Sequence, residues 1–99
     1  MKYYSTKMQK TNMDITINCL GVKTEDIKVT QYGGELVPDE LEVKVKYPPN
    51  DFGMVNQTFE FSIPAKFDLD NLSLKMNNGK LSIKIPLKGG IAKEIKIKE

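Results

Sequence analysis

At 99 residues, with 39% hydrophobic and 28% charged side chains, the chain has the length for one core and the balance of a folded globular domain, not of a disordered tail. It carries no His, a single Cys, and no Arg among its 15 cations. That composition removes the usual general base, a four-ligand zinc site, a disulfide within the chain, and the guanidinium forks on which nucleic-acid sites rely.

Apolar and polar residues alternate with period two in one segment after another, the pattern of half-buried strands. The first strand runs from Tyr3 to about Met8, and Gln9-Lys10-Thr11-Asn12 turns the chain into a second with Ile15, Ile17 and Cys19 on one face. Lys23-Thr24-Glu25-Asp26 suits a helical turn, and Ile27 and Val29 mark a third strand that Tyr32-Gly33-Gly34 ends. Leu41, Val43, Val45 and Tyr47 form a fourth, stopped by Pro48-Pro49-Asn50-Asp51, because proline cannot extend a ladder. Phe59, Phe61 and Ile63 form a fifth, and Phe67-Asp68-Leu69-Asp70 suits a second helical turn. Leu72, Leu74 and Met76 then alternate up to Asn77-Asn78-Gly79, and Leu81, Ile83 and Ile85 alternate after it. Asn-Gly favours a primed hairpin turn, so these last two strands are expected to pair antiparallel. Seven or eight short strands, each with one apolar side, predict an all-β, immunoglobulin-like β-sandwich of two antiparallel sheets over residues 1–86, with residues 87–99 as an extension.

Candidates for chemistry are few. Cys19 shares a strand face with Ile15 and Ile17 and reads as a buried structural thiol. Glu25-Asp26, Asp39-Glu40 and Asp68-Leu69-Asp70-Asn71 lack the glycine and terminal acid of a calcium loop and read as turn or capping residues. Gly33-Gly34 and Gly89-Gly90 lack the strand-to-helix context that cradles phosphate. No catalytic residue, metal or cofactor is expected. Residues 75–99 hold 7 Lys against 2 acids, with no aromatic among them. A solvated face is therefore expected, without nucleic-acid or membrane partners. The lone Cys and the absence of a signal-peptide or membrane-spanning apolar run point to the cytoplasm, of a host or in a virion if the gene is viral.

Three segments in order resemble the α-crystallin domain of the small heat-shock protein family. Cys19-Leu20-Gly21-Val22-Lys23-Thr24-Glu25-Asp26-Ile27-Lys28-Val29 is similar to that family's Leu-Pro-Gly-Val stretch followed by an acid and Asp-Ile-x-Val, with Leu20 in place of the proline. Phe61-Ser62-Ile63-Pro64 is similar to Phe-x-Leu-Pro, and Leu74 to Pro86, with Asn78-Gly79-Lys80-Leu81, resembles the Asn-Gly-x-Leu strand. Ile95-Lys96-Ile97, beyond Gly89-Gly90, is similar to the C-terminal Ile-x-Ile motif; the alternative is that it adds one more edge strand to its own sandwich. The link from Tyr47 to Thr58 is short for the swapped loop of bacterial and plant members, and a first strand at Tyr3 leaves no room for an apolar N-terminal arm.

The resemblance implies an ATP-independent holdase that binds unfolding client proteins and self-associates as a dimer or small oligomer. The motif Ile95 and Ile97 would dock in a groove lined by Ile27, Val29, Leu72, Leu74 and Met76. Two other readings stand beside it: a structural or assembly subunit of a larger particle, and a co-chaperone adaptor with the related CS-type sandwich.

Overall fold

A computed structural model describes residues 3–51, 53–89 and 97. Its seven strands are β1 (Tyr4–Met8), β2 (Asn12–Asn18), β3 (Ile27–Tyr32), β4 (Glu40–Val45), β5 (Gln57–Ser62), β6 (Ser73–Asn77) and β7 (Lys80–Pro86). The two expected helical turns are short 3-10 turns, Thr24–Asp26 and Leu69–Asn71. One sheet has the order β1-β2-β7-β6 and the other β3-β4-β5, all neighbours antiparallel.

The alternation seen in the sequence becomes the core. Met13, Ile15 and Ile17 of β2 and Leu81, Ile83 and Ile85 of β7 face Leu41, Val43 and Val45 of β4 with Phe59 and Phe61 of β5, and all are buried. Alternation outlasts the ladders: Cys19, Tyr47 and Ile63 lie just beyond the ends of β2, β4 and β5 and are still buried. Tyr47 Oη donates to the Asn18 carbonyl at 2.5 Å, which ties the end of one sheet to the other. Phe67 and Leu69 close one end of the core. Met54 is held in by Asn50, whose side chain accepts from the Met54 amide and donates to its carbonyl, both at 3.0 Å.

The β6–β7 hairpin follows from its two turn residues. Asn77 pairs with Lys80 across Asn78 and Gly79, whose φ values of 50° and 75° are those of a type I′ turn. A Cβ on Gly79 would approach the Leu20 backbone to 3.1 Å, so the position excludes side chains on two counts.

Candidate functional site

Four strands lie over three, so the outer strands of the larger sheet overhang the smaller one. Directly opposed residues of an antiparallel pair point to the same side. Leu74 therefore faces inward beside Ile83, and Met76 beside Leu81. Ile83 is covered by the opposite sheet and is 1% exposed, whereas Leu74, not covered by the described residues of that sheet, is 47% exposed. β3, the edge of the smaller sheet, stops short of covering it and leaves Ile27 and Val29 half-buried.

Between these two edges runs an open groove of about 230 Å³ walled by Ile27, Val29, Leu74, Met76 and Leu81, with Thr24 and Lys75 on its rim. Four of the five residues expected there from sequence come together. Leu72 stands outside the lining: it ends the 3-10 turn Leu69–Asn71 ahead of β6 and packs half-buried against the core. Leu81 was read as core alone, although its register opposite Met76 follows from the Asn-Gly turn and would have placed it at the groove floor. Ile95 lies outside the described residues; Ile97 is 91% exposed.

The opposite pair of edges, β1 and β5, forms a second crevice of about 700 Å³. Tyr4, 51% exposed, lies edge-on to Phe59 and Phe61 at ring separations of 5.6 and 5.3 Å. Ser5, Thr6, Gln57, Thr58 and Glu60 set polar groups among these rings. The β3/β6 groove, with aliphatic walls, is the better candidate for apolar partners.

Near the end of β3 lies a separate acidic basin of about 580 Å³ with Gln31, Glu35, Asp39, Asp68, Asp70 and Lys88 around it. Gln31 Nε2 donates to Asp70 Oδ1 at 2.5 Å across the gap between the sheets. Of the turn or capping roles expected there, Asp68 takes the first: it precedes the turn Leu69–Asn71 and its carboxylate accepts from the Asn71 side chain at 2.6 Å, with no side-chain cap on a backbone amide. Among the described residues no cluster of His, Cys, Asp and Glu is placed to hold a metal ion. Cys19 is fully buried, as its strand face implied. Burial pushes its thiol up to about 11, partly opposed by a backbone hydrogen bond at Leu81, so it stays protonated at neutral pH.

The sequence matches the model of the Hsp20/alpha crystallin family over residues 5–98. The chain belongs to the Hsp20/alpha crystallin family. Its fold is that of solved small heat-shock proteins. It is similar to a small heat-shock protein from Xylella fastidiosa at TM-score 0.72 and 18% identity, over 97% of this chain and 94% of that one. It is similar to heat shock protein 16.0 from Schizosaccharomyces pombe at TM-score 0.66 and 19% identity, again over 97% and 94%. The hspA protein of Xanthomonas axonopodis matches at TM-score 0.69 and 17% identity, over 89% and 94%. No curated protein matches the sequence significantly. In this chain the outer strands of the two sheets form two edge pairs, and the β3/β6 pair is apolar.

Proposed function

We propose that this Hsp20-family chain is a cytoplasmic, ATP-independent holdase that does no catalysis and needs no cofactor. It binds apolar segments of unfolding clients in the β3/β6 groove and along its open strand edges, and it self-associates when Ile95 and Ile97 occupy that groove. The supporting observation is the overhang of β6, which leaves inward-facing Leu74 uncovered beside the unpaired edge of β3. An apolar trough between two open strand edges offers an extended segment both side-chain pockets and backbone partners. Full burial of an aliphatic side chain contributes about 1.5–3 kcal/mol. Two isoleucines in the groove thus make a weak, reversible contact that gains strength through multivalency.

The test is heat-induced aggregation of a labile client enzyme followed by light scattering, with the full chain and with Leu74→Asp/Met76→Asp. Suppression by the natural chain and its loss in the variant is the expected result. Equal scattering with and without the natural chain refutes the holdase reading, and full protection by the variant moves the client site away from this groove. Mass by multi-angle scattering reads the assembly role, since Ile95→Ser/Ile97→Ser should reduce self-association.

A further inference from the structure

The smaller sheet has β4 in its middle, and alternate residues of β4 face away from the core. Leu41, Val43, Val45 and Tyr47 are buried, while Glu40, Glu42, Lys44 and Lys46 between them are exposed or half-buried on the outer face. Along the strand that face carries two negative charges and then two positive ones, and the sign changes at Val43. Such an order is its own complement when the strand is turned end for end.

The flanking strands widen the pattern. Glu42 is registered directly opposite Glu60 of β5, and Lys44 directly opposite Lys28 of β3. Like charges opposite each other across a ladder repel, so the domain holds a carboxylate pair beside an ammonium pair on one open face. Lys44 reaches Glu42 of its own strand at 3.8 Å, and among the described residues neither Glu60 nor Lys28 forms an ion pair. A second copy supplies the missing partners. With a two-fold axis lying between the two faces and crossing β4 at Val43, β4 runs antiparallel over the partner's β4. Glu42 then meets the partner's Lys44 and Glu40 the partner's Lys46, each contact occurring twice. Glu60 flanks the partner's Lys44, and Lys28 flanks the partner's Glu42. Stacked sheets sit about 10 Å apart, a gap that Lys and Glu side chains span together while the lysine stems cover apolar surface.

We propose that two copies of this chain associate face to face through the outer side of the β3-β4-β5 sheet, about a two-fold axis at Val43. The contact is isologous. It leaves the β3/β6 and β1/β5 edges open and is separate from any contact made by the tail. Three strands of six residues offer roughly 300 Å² of face, against about 800 Å² per partner in a stable complex. The pair is therefore weak, reversible and sensitive to salt. The outer face of the larger sheet has no such symmetry: Lys7, Lys75, Lys80 and Lys84 stand there with Asp14, which is hydrogen-bonded to Gln9 and Asn12, so that face repels its own copy.

Sedimentation equilibrium of the full chain at low ionic strength tests the pairing, in an Ile95→Ser/Ile97→Ser background that removes the tail. Association should be present there and lost in 1 M salt, where the screening length is about 3 Å. Glu42→Lys and Lys44→Glu should each weaken it roughly tenfold, because the two-fold axis turns two attractive contacts into two repulsive ones. Lys44→Glu also removes the net charge of +2, so general repulsion between copies predicts the opposite sign for that variant. An equimolar mixture of the two variants should associate as the parent does, which also shows that both fold. Weakening by Glu42→Lys with strengthening by Lys44→Glu overturns the two-fold arrangement and points to the basic face of the larger sheet as the partner. Absence of association in the parent, indifference to both substitutions, or a mixture that stays dissociated overturns the proposal, and none of these results bears on the tail or on the groove.

Discussion

Leu74 and Ile83 sit opposite each other on β6 and β7, point to the same side, and differ in what lies above them. Truncating each to alanine turns that difference into a measurable one. Ile83→Ala removes buried methylenes and leaves a void that the close-packed core fills poorly, at a cost of about 2–5 kcal/mol. Leu74 is already half in water, and the space left by Leu74→Ala fills with solvent. Its cost is roughly half the 1.5–3 kcal/mol of full leucine burial, so about 1 kcal/mol. For a domain of this size each kcal/mol moves the melting temperature by about 4–8 °C. The Leu74 variant should thus melt within about 8 °C of its parent, and the Ile83 variant at least about 8 °C below it. Both belong in an Ile95→Ser/Ile97→Ser background, so that tail docking does not contribute. Calorimetry together with urea titration checks the comparison. Equal losses from the two truncations would show that Leu74 is core and that the groove is closed in solution, which would remove the basis of the functional reading.

Gly79→Ala forces a Cβ into left-handed backbone and toward Leu20, and should destabilise the domain by at least about 1 kcal/mol in urea titration; a neutral result would refute the type I′ turn. Tyr47→Phe removes the hydroxyl that donates to the Asn18 carbonyl and should cost about 1 kcal/mol while leaving the aromatic packing of Tyr47 against Tyr3 intact. Cys19 has a folded-state pKa near 11 against an ordinary value of 9.0. As pH rises through that window the unfolded chain gives up the proton first, so this contribution to stability falls with pH. The urea midpoint of the natural chain should drop more between pH 8.5 and 10.5 than that of Cys19→Ala. Native Cys19 should also resist alkylation at pH 8 until urea is added, and rapid native alkylation would contradict its burial.

Period-two alternation fixes which face of a strand is apolar, and the hairpin at Asn78-Gly79 is legible to the residue because two adjacent positive φ values demand that chemistry. What alternation does not encode is the width of the opposing sheet. Leu74 and Met76 read just as Ile83 and Leu81 do, and only the pairing of β2 with β7, across more than sixty residues of chain, leaves β6 hanging at an edge. Met13 was missed because Asn12 and Asp14 on either side of it look like turn residues, yet all three belong to β2. Met54 and Phe67 lie outside any alternating run, and their burial depends on Asn50 and on the bridge between Phe67 and Leu87. The acidic basin collects Gln31, Asp39 and Asp70 from three separate stretches, so no local pattern announces it.

The tail issues from β7, an interior strand of its sheet, registered to β2 on one side and β6 on the other. Leu87 and Lys88 extend that grip through hydrogen bonds to Thr11 and Lys66. A pull transmitted along the tail therefore acts lengthwise on β7 and strains its ladders in shear, many bonds at once, whereas a pull on an edge strand would peel them one by one. If copies are joined through such tails, as proposed, they would part by releasing two isoleucines long before either sandwich tore, and such an assembly would come apart and re-form under mechanical stress while its building blocks stayed folded.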